Sequence, residues 1–482
     1  MKRTDIIKSI SKLVLLESLK RKVNQWLIVF FNAVLTTALF VGFFNLKEKQ
    51  DAISEHSHEV RELWDNSPDK NPHRMAHYGY VAFREKYPLS FFDFGMDNYL
   101  GNSIFLEAHK QNTVNFSEAS FSNSLLRFGE ISAGMIFQLL LPLLIFFWGF
   151  DLITRDRETG TLRIVMSQAV SWKELILGKT LGLFTLSLFV LLPSIIIVFA
   201  LNTTLGLFIG NFSFLIRFFM LVFSYLVYYL IASLLAVIIS SRVKSSKAAL
   251  IQLIGFWLFF TLMLPKISQS IGQIAFPAPS KVEFDAAVER EIIKQGDSHN
   301  PNDPHYKELR DSLLTAYNVE SITDLPFNYS GIIMQEGEKL SSNTYKHFQD
   351  SLTNIFKIQQ NVVRWTAIFN PYMAIKNLSM ALSGTDFAEY NNFQKQTEGY
   401  RYQLVQALNK MQIEHVKVGT SLEEKDASIS NQNWKEIPYF TYDFLTAVQI
   451  LKNEWLSILS LLIWIAGLFL VTYKSIKNLK AY

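Results

Sequence analysis

Five of the nine histidines fall in one stretch of 54 residues: His56, His58, His73, His77 and His109. His73 and His77 are four apart, which on a helix turns both imidazoles to one face, the arrangement of a metal-binding pair. Pro72 fits the first turn of such a helix. No carboxylate or third histidine stands at a fixed spacing to them. His73, His77 and His109 are therefore read as structural hydrogen-bonding groups and no metal is expected, with an outer-face copper or zinc site as the alternative. There is no cysteine, so thiolate nucleophiles, thiolate-bound zinc, iron–sulfur clusters and disulfides are excluded. Asp156 and Glu158 are two residues apart in a dense charged run, where docking or internal ion pairing explains them better than acid–base catalysis. Asp386 reads as a helix N-cap. Gly178-Lys179-Thr180 imitates the end of a phosphate-binding loop, but Lys173 occupies the place of the first glycine. No serine–histidine–carboxylate set stands out. The chain is not expected to be an enzyme, to bind nucleotide or to hold a cofactor.

These residues hang on a membrane scaffold. Six windows lack any Asp, Glu, Lys or Arg: 26–46, 131–150, 180–200, 218–239, 248–264 and 455–473. A helix rises about 1.5 Å per residue, so about 20 residues cross a 30 Å hydrocarbon core. The fold class expected is a mainly α membrane protein with six transmembrane helices. The mean hydropathy of +0.16 averages these windows with long polar segments. No span holds a charged residue, which argues against an ion-coupled carrier. No cleavable signal peptide is visible.

Lysine and arginine are retained on the cytoplasmic side of short segments. Residues 1–25, 151–179, 240–247 and 474–482 together carry 18 of them, whereas 201–217 carries Arg217 alone. Both termini of a multi-pass membrane chain are therefore expected in the cytoplasm. The long segments 47–130 and 265–454 then lie on the outer side. The net charge of +4 divides into +12 inside and −9 outside, with Arg217 making up the rest. It reflects topology and gives no reason to expect nucleic acid as a partner.

Asp5–Lys20 has an apolar stripe of Ile6, Ile10, Leu13 and Val14 and reads as a basic interfacial helix within segment 1–25. Residues 276–280 read as a linker. The rest of 265–454 reads as mostly helical, with helical spacing through Phe348, Leu352, Ile355, Phe356, Val362 and Val363. Asn370-Pro371 starts a helix that Gly384 stops, and Asp386 to Glu389 resembles a capping box. Residues 416–436 read as loop.

The segment 151–179 carries the most information. A charged run, Arg155-Asp156-Arg157-Glu158-Thr159, leaves the second span and is broken by Gly160. A short element follows around Thr161–Met166, and Ser171-Trp-Lys173-Glu174 is a capping box opening the third span. This run resembles the signature of ABC type-2 exporter permeases: Arg155-Asp156-Arg157-Glu158-Thr159-Gly160-Thr161-Leu162, then Ser167, Val170-Ser171 and Gly178-Lys179. Ala169 and Trp172 depart from the residues usual there, a proline and a basic residue. The outer segments resemble a subgroup with a large extracytoplasmic domain of unknown function, through Asn71-Pro72-His73, Ala76-His77-Tyr78-Gly79, Glu107-Ala108-His109 and Gly384-Thr385-Asp386-Phe387.

The resemblance implies that Arg155, Asp156, Arg157, Glu158, Gly160, Thr161, Leu162, Ser167, Ser171 and Lys173 form a coupling element that docks on an ATP-binding cassette subunit. It implies two copies of that subunit, which carry the ATP and magnesium, and a second permease chain, identical or paralogous. A periplasmic partner is a further possibility. The function expected is the membrane subunit of an ATP-driven exporter. The alternatives are a mechanotransmission subunit that moves its periplasmic domain without passing cargo, and a membrane receptor or enzyme without an ATPase.

Overall fold

The computed structural model describes residues 3–112, 131–204, 212–300, 302–417 and 427–476. The connection at 205–211, residues 418–426 of the expected loop at 416–436 and the tail at 477–482 lie outside them, and the end of that loop, Asn431–Glu436, forms a 3-10 helix. The described chain is overwhelmingly helical. Six helices are long and apolar enough to cross a membrane: Lys22–Asp65, Ala133–Glu158, Trp172–Thr204, Phe212–Arg242, Ser246–Ala275 and Trp455–Lys474. Each covers one of the uncharged windows, the second all but Ile131 and Ser132.

The first and fifth run furthest past the outer ends of their windows. The first is an uninterrupted 44-residue helix, about 66 Å long at 1.5 Å per residue. Nothing between Leu46 and Asp65 breaks it, so it continues rigidly into the large domain and ends with Trp64 in that domain's core. The fifth runs on to Ala275, just before the non-helical 276–280 linker.

Three spans contain proline, and each proline leaves the carbonyl four residues earlier without its N–H partner. In hydrocarbon such a group must find another donor. Pro142 follows a π-helical turn, Ile136–Leu140. The carbonyls it loosens are met from neighbouring spans: Tyr229 donates to Phe137 O at 3.1 Å, Tyr228 to Gln138 O at 3.2 Å and Trp257 to Leu139 O at 2.9 Å. Pro265 follows a second π-turn, Phe259–Met263, where Asn370 donates to Phe260 O at 2.7 Å. Pro193 frees Phe189 O, which takes Asn32 Nδ2 of the first span at 3.2 Å. Asn32→Leu should therefore cost about 1 kcal/mol, seen as a lower unfolding temperature of the detergent-solubilised chain. Asn32→Gln should lose less.

The N-terminal helix Arg3–Lys20 turns at Arg21, whose extended backbone separates it from the first span. It lies against the start of the third span across Gly178 and Gly182. A Cβ on Gly178 would stand 2.7 Å from Ile10 Cβ, and one on Gly182 2.8 Å from Val14 Cβ. The glycine of the imitation phosphate loop is thus a close-packing site.

The two long segments share one hydrophobic core. It joins Trp64, Met75, Tyr80, Ile104 and Leu106 of the first to Phe393, Leu404, Leu408 and Trp434 of the second. Tyr80–Phe83 and Ser103–Leu106 pair as a small antiparallel sheet, Tyr80 opposite Leu106, a feature with no counterpart in the sequence reading. The long helices Tyr329–Thr366 and Phe387–His415 pack on each other, and the second supplies Phe393, Leu404 and Leu408 to this core. Asn370 caps its helix and Gly384 ends it in the left-handed conformation. Asp386 caps the next helix through Glu389 N at 3.0 Å. The capping box there is only half formed, because the Glu389 carboxylate accepts from Tyr442 Oη and Leu445 N instead.

Segment 265–454 is not wholly outside the bundle. The helix Pro371–Ser383 is buried along almost its whole length. It sits against the fourth and sixth spans and both π-turns, plugging the end of the bundle that faces the large domain. Its apolar residues surround the helix instead of forming one stripe, so an exposed position would be unfavourable. Arg217, expected as a loop charge, is fully buried here. It lies 3.9 Å from the Tyr87 ring and 3.8 Å from Glu389, and it donates to Leu445 O.

Candidate functional site

At the opposite end of the bundle the basic segments meet. The run after the second span forms two short helices, Thr154–Glu158 and Thr161–Ser167. Gly160 divides them with φ +79°. A turn follows in which Ala169 takes φ +60°, a value that a proline ring forbids. The departure at this position therefore comes with a differently built turn. Ser171 and Glu174 form the expected capping box: Ser171 N donates to Glu174 Oε2 at 2.8 Å, and Glu174 N donates to Ser171 Oγ at 3.3 Å. Trp172 is buried and anchors the start of the third span.

The structure divides the expected coupling residues into two groups. Asp156, Arg157 and Leu162 face inward, and Glu158, though exposed, is tied to the start of the fifth span. Asp156 pairs with Lys179, which also donates to Leu152 O. Arg157 donates to Ser241 O at 2.8 Å and to Val243 O. Glu158 accepts from Ser246 N at 2.7 Å and Ser246 Oγ at 2.9 Å, where its negative charge meets the N-terminus of the fifth span. Leu162 is fully buried in the bundle core. This element is thus pinned to the third, fourth and fifth spans together.

Arg155, Gly160, Thr161, Ser167, Ser171 and Lys173 are exposed. Arg155 lies 3.9 Å from Asp151, which Arg21 approaches to 3.8 Å. Arg163, Gln168 and Ile164 lie on the same open surface, and Ile164 is 60% exposed. The sequence reading omitted Ile164. An isoleucine on the open side of a seven-residue helix whose buried residue is Leu162 was the available signal.

The histidines come together elsewhere. His73 and His77 do lie on a short helix, Pro72–Tyr78, which Asn71 caps through His73 N and Arg74 N. His109 joins them from the loop after the second strand, and His299, absent from the sequence reading, joins from the second long segment. Ligand-capable atoms of all four lie within 4.8 Å of one another. No spacing rule links residue 299 to residue 73, so the sequence alone hid the fourth member.

Comparison with known families accords with this arrangement. Residues 96–240 match the family described as ABC-2 membrane transporter related. They include the pinned element and the second, third and fourth spans. Residues 281–443 match a domain of unknown function, DUF3526, which makes up most of the large domain's second segment. No curated protein matches the chain. The chain is a multi-pass membrane protein that carries an ABC-2 membrane transporter related region over its second to fourth spans and a DUF3526 domain between its fifth and sixth.

Proposed function

We propose that the chain is the membrane subunit of an ATP-driven exporter, with residues 154–173 receiving force from a cytoplasmic ATP-binding subunit. The observation that carries this reading is the two-sided character of that element. Its inner side is tied to three spans by Lys179, Ser241, Val243 and Ser246, while Arg155, Arg163, Ile164 and Ser167 stand open. A push on the open side would move three spans at once. Two such chains, identical or paralogous, would pair over two ATP-binding subunits, which supply the ATP and magnesium. Nucleotide would bias the bundle between inward- and outward-facing states. The positive-inside pattern supports placing both termini in the cytoplasm and the large domain in the periplasm of a bacterial inner membrane.

Co-expression with candidate ATP-binding cassette subunits from the same genome, and purification on a tag carried by this chain, tests the reading. One of them should copurify. Ile164→Asp should weaken its retention about 30-fold or more, since an unpaired carboxylate in an interface core costs about 2 kcal/mol or more. Because Ile164 is exposed, the variant should still fold. Failure of the wild-type chain to retain any ATPase, with no loss of cellular function on deleting 156–166, would sink the proposal.

One observation favours a second reading, mechanotransmission. The unbroken helix Lys22–Asp65 links the bundle directly to the core of the large domain. The same ATP-driven movement would then rock that domain without passing cargo. ATP-dependent accumulation of substrate in inverted vesicles would exclude it.

A further inference from the structure

The geometry points to a divalent first-row transition-metal ion bound by His73, His77, His109 and His299, clasping the two long segments of the large domain together. Among the described residues it is the one cluster of His, Asp and Glu side chains that converges in this way. The four rings pack mutually, with every pair of centroids between 4.7 and 5.8 Å apart. His73 Nε2 lies 3.0 Å from His299 Nε2 and 3.1 Å from His77 Nε2. A ring nitrogen offers either one proton or one in-plane lone pair. Hydrogen bonding therefore satisfies only one of those two contacts well, whereas a cation between the rings accepts a lone pair from each. At metal–nitrogen bonds of about 2.0–2.1 Å, tetrahedral ligands stand about 3.3 Å apart. The observed separations, from 3.0 Å to at most 4.8 Å, bracket that value.

The surroundings are those of ligating histidines. A ligating imidazole usually gives its other nitrogen to a carboxylate, which fixes the ring and raises its basicity. His299 Nδ1 lies 3.1 Å from Asp297 Oδ1. His109 Nδ1 lies 3.4 Å from Glu338 Oε2, and His109 Nε2 has no hydrogen-bond partner. Glu338 is itself fully buried. It accepts from His109 N at 2.7 Å and from Arg401 Nη1 at 2.6 Å. His109 holds φ +61°, a strained value for a non-glycine residue that suggests a functional constraint. The His299 loop reaches the helix Tyr329–Thr366 at Gly337, where any Cβ would overlap Ser298.

His77 and His299 are exposed while His73 is buried, so an ion can enter from solvent and meet a fixed inner ligand. Four imidazoles suit zinc, copper or nickel. With all four positions taken by protein the site is structural. Its role follows from chain connectivity: His73, His77 and His109 precede the second span, and His299 follows the fifth.

The test uses the full chain in detergent, stripped with chelator and re-equilibrated with zinc chloride. Metal analysis should give one zinc per chain, and cobalt substitution should give the visible bands of a four-coordinate ion. Zinc should raise the unfolding temperature. His73→Ala with His299→Ala should abolish stoichiometric binding, whereas His56→Ala with His58→Ala should leave it intact. Asp297→Asn keeps all four ligands and should weaken zinc affinity about 10- to 100-fold, a shift independent of gross folding. Zinc uptake by the wild-type chain no greater than by the His73/His299 variant, or full affinity in Asp297→Asn together with the ligand variants, would overturn the proposal.

Discussion

Asp97→Ala should destabilise the chain by about 3–5 kcal/mol near neutral pH, the cost of leaving a buried charge without its partner. That corresponds to a fall of roughly 10 °C in unfolding temperature for the domain. Asp97 accepts from Arg84 Nη2 at 2.5 Å and from Lys86 Nζ at 2.9 Å. All three side chains are buried. Removing the carboxylate leaves two buried cations with no counterion between them. The pH dependence separates this cause from lost packing. Burial already lowers the Lys86 ammonium to about 8, with Asp97 holding it up against Arg84 and Lys49. Without Asp97 it falls further. A lysine whose folded pKa lies below its unfolded one gains stability as pH rises between the two values, because the unfolded chain then binds more protons. The deficit of Asp97→Ala should therefore shrink from pH 7 toward pH 9.5. Adding Lys86→Met should recover much of the loss at pH 7. A deficit that is the same at both pH values, and unchanged by Lys86→Met, would assign the cost to packing.

How much of this was legible beforehand depends on the range of the cause. Local causes were visible. Asn370-Pro371, Gly384, Ser171 with Glu174, and Gly160 each act within a few residues, and each forms the cap or break expected of it. The six uncharged windows are equally local. Long-range causes were not visible. His299 is 226 residues from His73, and only the packing of both segments on one core brings them together. Arg217 looked like a loop charge because its partners Tyr87, Glu389 and Leu445 lie far away in sequence. Glu389 fitted a capping box, but Tyr442 and Leu445 supplied better donors. Asn32 stands in a span with no partner suggested by its sequence neighbours. Its role appears once the proline-freed carbonyl of Phe189 is placed beside it. The charged run 155–158 marked an element but not which of its residues bond to the spans, because that is set by Lys179, Ser241 and Ser246.

Asp93→Ala should loosen the plug formed by Pro371–Ser383. Asp93 is buried where the first long segment, the second span and the plug meet. Its Oδ2 accepts from Gln138 Nε2 at 2.8 Å and Ser379 Oγ at 2.5 Å, and its Oδ1 from Gly95 N at 3.1 Å. Tyr225 Oη of the fourth span lies 3.2 Å from Gln138 Nε2 and 2.9 Å from Ser379 Oγ. Alanine would strand three donors at about 1–3 kcal/mol each, less what Tyr225 can take over, for a net loss of roughly 3–6 kcal/mol. Asp93→Asn keeps acceptor oxygen for part of the set and should cost less than half as much. The readout that isolates the plug is amide hydrogen exchange. Protection over 371–383 should fall more than protection along the fourth span. Thr385 would still tie the plug to the Asp93 backbone, with Oγ1 donating to Asp93 O at 2.9 Å, so loosening should stop short of release. Unchanged protection over 371–383, with stability lost elsewhere, would show that the Asp93 carboxylate does not fasten the plug. A plug fastened by one polar junction can be released by a small shift of the second or fourth span, whereas a plug held only by packing would have to move with the bundle.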